Sequence, residues 1–335
     1  MAADGLRSSK FWGIKMKASF LRLISRGIFL GLFAPILLVA CTNAAIQATN
    51  SENGAELKSM RVNEATLHYI ERGHGTPVVL VHGALGDYRT WDGQLEEFSI
   101  GHTVIAVSMR GHYPNPSSDA AAGGATGLNE VAVQAEDLAE FIRSLDLGPV
   151  HLVGHSGGAL RSLLVARNHP NLLRSLTLGE PPAFSLFPPG SEGDLLAQRF
   201  VADVTIPAAE AFQNGDDKLG VERFIGGVVG KDIFAAYPEY RHTALLDNAW
   251  TLNFGLADKA PPPNFTCADA SGIRVPTLLI EGALSPKMFI LALDILEECL
   301  PTSSRASIAD ASHGLEMENP EAFNETVLTF LDQYE

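Results

Sequence analysis

Basic side chains are scarce in this chain of 335 residues, where 24 lysines and arginines stand against 39 aspartates and glutamates. A formal charge of −15 at pH 7 speaks against nucleic acid as a partner, because phosphate recognition needs a basic face. It also disfavours strongly anionic substrates and leaves neutral, apolar ones as the easier match. Cysteine is sparse as well, with three residues in all, and no metal-ligand motif appears among the histidines, cysteines and acids. The glycine-rich stretch from Gly154 to Gly158 lacks the lysine that a phosphate-binding loop requires. The expectation is therefore a protein without metal or cofactor. An apolar run from Gly27 to Ala40 stops short of the roughly 20 residues that a membrane-spanning helix needs.

That run is preceded by Arg7, Lys10, Lys15, Lys17, Arg22 and Arg26 and by one acid, Asp4. A basic head followed by an apolar stretch is the order of a secretory signal, so residues 1 to 40 read as a signal peptide. The run closes on Leu38-Val39-Ala40-Cys41, which resembles the lipobox of bacterial lipoproteins. The resemblance implies cleavage before Cys41, lipidation of that cysteine, and export to the cell envelope with the protein tethered to a membrane and facing the periplasm or exterior. Without residues 1 to 40 the formal charge becomes −20, since 18 basic and 38 acidic residues remain. Residues 41 to 56 comprise the anchor cysteine and a small, polar tether. Cys267 and Cys299 then sit in a compartment that permits a disulfide, while two buried thiols remain an equal reading.

The folded domain is expected over residues 57 to 335. Met60 to Val62 and Leu67 to Ile70 suggest an opening hairpin, and Pro77 to Val81 and Thr103 to Val107 are short β-branched runs typical of buried strands. Apolar positions from Val131 to Leu145 recur at helical spacing before Gly148. Further strands are expected at Val150 to Val153, Leu173 to Leu178, Val275 to Ile280 and Arg305 to Ile308, with helices at Lys287 to Leu300 and Pro320 to Leu331. Strands alternating with helices predict an α/β domain with a doubly wound, mostly parallel sheet. Between Pro181 and Pro263 the alternation breaks into helical pieces, which predicts a helical cap over the carboxyl edge of the sheet.

Val150 to Val153 leads without a gap into Gly154-His155-Ser156-Gly157-Gly158 and on into a helix. This strand–turn–helix makes Ser156 a candidate nucleophile, because a sharp turn lifts the hydroxyl clear of the sheet. A serine that attacks a carbonyl needs a base, a group to orient it and donors for the oxyanion. His313, on a loop between the last strand and the last helix, is the candidate base.

Three segments carry a family resemblance: Val81-His82-Gly83-Ala84, Gly154 to Gly158, and Ser312-His313-Gly314 through to Pro320. From about Leu57 to the C-terminus the chain resembles the α/β-hydrolase superfamily. The resemblance implies the chain order Ser, acid, His, and an oxyanion hole from the backbone N–H groups of Ala84 and Gly157. His82 and Arg110 are then structural, Trp91 a packing residue, and His155 packs beside the strand. The acid departs from the family pattern, for Ser285 stands where an aspartate is usual. Glu180, ending the strand after the nucleophile helix, is the candidate acid, with Glu281 as its competitor; Glu316 and Glu318 read as makers of local backbone or helix-start contacts. Haloalkane dehalogenases and epoxide hydrolases of this fold use aspartate in place of the serine. The expected activity is cleavage of a small neutral carboxylic ester or lactone through an acyl-enzyme. The alternatives are cofactor-free perhydrolysis, C–C bond hydrolysis, or a lipid-tethered binding protein that has lost catalysis.

Overall fold

The computed structural model describes residues 49–50, 56–115, 131–252 and 264–335. The expected signal peptide, Cys41, most of the tether, and residues 253–263 at the end of the expected cap lie outside the described residues.

The opening hairpin forms as β2 (Glu56–Val62) and β3 (Ala65–Gly73), with β1 (Thr49–Asn50) paired on its outer side. Its two-residue turn puts Asn63 at φ +48°, a left-handed conformation that asparagine tolerates better than most residues. The apolar runs that follow become β4 (Thr76–Val81), β5 (His102–Val107), β6 (Val150–His155), β7 (Leu173–Gly179), β8 (Thr277–Gly282) and β9 (Ser303–Ile308). These six pair in parallel, and the sheet order is β1-β2-β3-β5-β4-β6-β7-β8-β9. The strand expected from Val275 starts two residues later, because Pro276 has no N–H to give to a ladder.

Helix α1 (Asp92–Phe98) follows β4, whereas α2 (Val131–Leu145) and α3 (Gly157–Asn168) precede and follow β6. Leu138, Phe141, Leu163 and Leu164 pack on one face of the sheet; Trp91, Leu95, Phe98 and Phe323 pack on the other. Burial on both faces explains the apolar runs Val78–Val81 in β4 and Val104–Val107 in β5. Trp91 is fully buried against Phe323, with ring centroids 6.2 Å apart.

Between β7 and β8 lie α4 (Glu192–Phe200), α5 (Ile206–Gln213), α6 (Asp217–Val229), α7 (Lys231–Ala235) and α8 (Glu239–Asp247). They share an apolar cluster that includes Phe212, Ile225, Val228 and Phe234 and that reaches Phe289. Helices α9 (Cys267–Gly272) and α10 (Lys287–Cys299) are joined by a Cys267–Cys299 disulfide, with Cα atoms 5.3 Å apart. Of the two readings of this pair, the bridge is the one that forms. The chain closes with α11 (Leu315–Glu318) and α12 (Pro320–Leu331). Among the described residues, no helix is long and apolar enough to cross a membrane.

Strand order reverses at β4. From there the chain moves outward to β5 and then returns to the other side of β4 with β6. The loops leaving β4 and β6 therefore diverge at neighbouring strand ends, which is where open α/β sheets make their binding crevice.

Candidate active site

Helix α3 starts directly at the end of β6, and Ser156 absorbs the change of direction at φ +50°, ψ −120°. For a non-glycine residue this is a strained conformation, held here by its N–H donating to the Gly179 carbonyl at 2.7 Å. The turn closes only because side chains are missing beside it. A Cβ on Gly158 would stand 2.2 Å from the Val81 carbonyl oxygen, and one on Gly154 would stand 2.6 Å from Ser162 Oγ. Glycine at both positions lets α3 press against β4 and β6.

His313 lies on the loop between β9 and α11, and its Nε2 accepts the Ser156 hydroxyl proton across 3.0 Å. Its Nδ1–H donates to Glu180 Oε2 at 2.6 Å. Glu180 follows β7 at φ +46° and is fully buried; its other oxygen accepts the N–H of Gly282 at 2.8 Å. The three residues chosen from the sequence thus form one continuous hydrogen-bonded relay. Burial lowers the pKa of His313 below the usual imidazole range, although the hydrogen bond and charge of Glu180 pull the other way. The ring stacks on Phe289, with centroids 3.9 Å apart.

Glu281 is not part of this relay. It stays within β8 and pairs with Arg305, whose Nε donates to it at 2.9 Å. Arg305 also holds Asp294 and Glu297. Ser285, where the family pattern has its acid, lies in the turn after β8 with its N–H on the Gly282 carbonyl.

Ala84 and Gly157 both line the cavity beside Ser156, and a Cβ on Gly157 would lie 3.8 Å from the Ala84 nitrogen. The Ala84 loop is fixed by His82, whose Nδ1–H donates to the Gly83 carbonyl at 2.8 Å and whose Nε2 accepts the Met109 N–H at 3.0 Å. Burial, aided by the nearby Arg161 charge, pushes His82 down to about 3, which keeps it neutral for this two-sided bonding. Arg110 is buried and grips Asp137 through Nε at 2.6 Å and Nη2 at 2.8 Å. Ser108, at the start of the same loop, accepts the Tyr88 N–H at 3.1 Å.

His155 packs behind the relay, its Nε2–H donating to the His313 carbonyl at 2.7 Å. Its Nδ1 faces Glu316 Oε1 at 3.1 Å. Burial disfavours a charge on His155, but the neighbouring Glu316 carboxylate outweighs it and raises the pKa. Glu316 therefore makes more than the local contacts expected of it. Glu318 makes the local ones, accepting the Ser312 N–H at 2.6 Å and its hydroxyl at 2.8 Å, and also accepts the Tyr237 hydroxyl from the cap at 3.2 Å. Neither the Glu316 pairing nor the Phe289 stack has a signal in the sequence, since both residues read as ordinary helix positions.

A cavity of about 490 Å³ opens over Ser156 and His313. Its outer wall comes from α4, α6 and the α7–α8 turn through Phe200, Phe224, Ile225, Val228, Val229 and Tyr237. Charged groups on its wall include Asp87, Arg89, Asp92, Arg241 and Glu316. Arg89 is neutralised by Asp87 at 2.6 Å and Asp247 at 2.9 Å. The rest of the lining is mostly apolar, which suits a largely apolar ligand.

Comparison with known proteins agrees with this architecture. The (E)-2-((N-methylformamido)methylene)succinate hydrolase of Acinetobacter baylyi is 26% identical over 276 residues, which cover 81% of this chain and 95% of that protein. Epoxide hydrolase 3 of Xenopus tropicalis is 24% identical over 302 residues, covering 82% and 77% of the two chains. The crystal structure of the enol-lactonase from Burkholderia xenovorans aligns with a TM-score of 0.63 at 20% identity, over 82% of this chain and 99% of that one. The family model for the alpha/beta hydrolase family matches residues 78–326, from β4 to within α12. With the Ala84 loop, the Ser156 turn and His313 all inside that span, the chain belongs to the alpha/beta hydrolase family.

Proposed function

We propose that this chain is a serine hydrolase that cleaves a neutral carboxylic ester or lactone. The observation that carries the proposal is the relay from Ser156 Oγ through His313 to Glu180, opening into an apolar cavity. Ser156 Oγ attacks the carbonyl carbon as its proton passes to His313 Nε2, and Glu180 stabilises the imidazolium that results. The N–H groups of Ala84 and Gly157 bind the oxyanion of the tetrahedral intermediate. Collapse breaks the C–O bond, and the proton on His313 goes to the leaving alkoxide oxygen. Water activated by the same histidine then adds to the acyl-enzyme and releases the acid. A serine at the turn favours this route over epoxide opening by a carboxylate nucleophile.

The test is covalent labelling of the full chain with a fluorophosphonate, alongside a panel of neutral p-nitrophenyl esters and lactones. Labelling and turnover in the wild type, both absent in Ser156→Ala, are expected. A wild type that neither labels nor turns over any member would leave a binding protein as the better account. We also propose that the protein is exported and lipid-tethered at Cys41, a reading with which the Cys267–Cys299 bridge is compatible, because disulfides persist in oxidising compartments. Radiolabelled lipid should enter the chain and be lost in Cys41→Ser; incorporation that survives the substitution rules the tether out.

A further inference from the structure

Two imidazoles and two carboxylates converge at the opposite edge of the sheet from Ser156. His102 opens β5, His151 lies one residue inside β6, and Asp332 and Glu335 follow α12. We propose that these four residues form a binding site for a divalent transition-metal ion, with zinc as the ion their donor set fits best.

Glu335 is the hub. Its Oε1 lies 3.0 Å from His102 Nε2 and 3.9 Å from His151 Nε2, and its Oε2 accepts the hydroxyl of Thr76 at the start of β4. Donor atoms of His102, Asp332 and Glu335 all fall within 4.8 Å of one another, and no other such group of three occurs among the described residues. Ligands bound tetrahedrally to zinc at about 2.0–2.2 Å stand roughly 3.2–3.6 Å apart. The distances from Glu335 to the two imidazoles, 3.0 and 3.9 Å, fall on either side of that spacing.

A plain His102–Glu335 ion pair does not account for the cluster, because it leaves His151 unexplained. His151 is fully buried and its Nδ1 is committed to Ser175 Oγ at 2.7 Å. Its Nε2 is sealed from solvent, has no hydrogen-bond partner, and points toward Glu335. At 3.9 Å that approach is too long for a hydrogen bond. In the tautomer whose Nδ1–H donates to Ser175, Nε2 turns a bare lone pair toward a carboxylate oxygen, an arrangement that a cation between them resolves. Ser175 is then the outer partner that metal-bound imidazoles regularly have on their second nitrogen. Two nitrogens and two carboxylate oxygens suit zinc better than calcium or magnesium, which take oxygen donors alone. An ion here would tie the end of α12 to the first residues of the central strands.

The experiment is titration of the EDTA-treated full chain with zinc, followed by calorimetry and by the absorption of cobalt as a substitute ion. One ion per chain is expected, with at least a tenfold weaker affinity in His102→Asn and in Glu335→Ala. Fluorophosphonate labelling of Ser156 should be unchanged in both variants, since the site lies at the far edge of the sheet. Glu335 is 44% exposed on its side chain, so its variant keeps the test decisive should the histidine variant fail to fold. No binding below millimolar zinc, or equal affinity in wild type and Glu335→Ala, would overturn the site. Neither result bears on the Ser156 relay.

Discussion

Glu180 holds His313 from the end of β7, one strand before the position from which the family resemblance leads one to expect the acid, and the two meet at 2.6 Å. The substitution is possible because β7 and β8 are parallel neighbours whose carboxyl ends both point to the His313 loop. Glu180 N–H bonds the Ile280 carbonyl across this gap, and Gly282 N–H bonds the Glu180 carboxyl group.

Glu180→Gln should therefore lower kcat by about three to four orders of magnitude, the range seen when the orienting carboxylate of such a triad is replaced by an amide. Glu281→Gln should keep kcat within about threefold, because Glu281 is spent on Arg305. Steady-state kinetics of the two variants on one ester decide the matter. A large loss confined to Glu281→Gln would mean the acid is wrongly assigned.

The acid limb of the pH–rate profile follows from the surroundings of His313. Burial lowers its pKa below the ordinary 6.5, with Glu180 opposing and the charge of His155 adding to the drop. The neutral imidazole is the reactive form, so kcat/KM should rise with pH through a midpoint below 6.5 and be flat at neutrality. In Glu180→Gln the upward contribution of the carboxylate is gone, and the midpoint should move lower still. A wild-type midpoint at or above 6.5 would contradict this account.

The sheet and the serine turn were legible because they obey local rules. Val150, Leu152 and Val153 are buried apolar residues leading into the turn, and glycines at 154 and 158 leave out Cβ atoms that would stand 2.6 and 2.2 Å from their neighbours. The acid was legible only as a choice between two glutamates. Both stand beside a strand's end, and where each side chain goes depends on the local backbone, Glu180 turning at φ +46° just past β7 and Glu281 staying within β8. Glu316 escaped because its partner, His155, lies 161 positions earlier in the chain, and no local pattern encodes a pair brought together by the sheet. The cap was visible as an interruption, yet the cavity it walls depends on how its helices pack.

Arg110 supports the fold at a distance from the chemistry. Its buried fork on Asp137 joins the loop after β5 to α2, and Asn63 adds a third bond to the same carboxylate at 2.8 Å. Removing one partner strands the other charge away from water, so Arg110→Met should lower the unfolding free energy by about 3–5 kcal/mol. Denaturant titration measures the loss. The folded fraction should still label with fluorophosphonate; a variant of unchanged stability would show that the pair adds nothing.

If the proposed ester cleavage holds, the cap should set acyl preference. Phe224, Ile225, Val228 and Val229 recur on α6 so that one stripe of the helix faces the cavity above Ser156. Each methylene buried there contributes about 0.8 kcal/mol, equivalent to roughly fourfold in kcat/KM. Lengthening the acyl chain of a p-nitrophenyl ester from acetate should thus raise kcat/KM about fourfold per carbon until the cavity is filled. Val228→Trp fills the same space with protein, so it should flatten that rise and leave the acetate rate within a few-fold of wild type. A chain-length profile unchanged by Val228→Trp would place the acyl group elsewhere, with the alcohol side of the substrate lying under α6 instead.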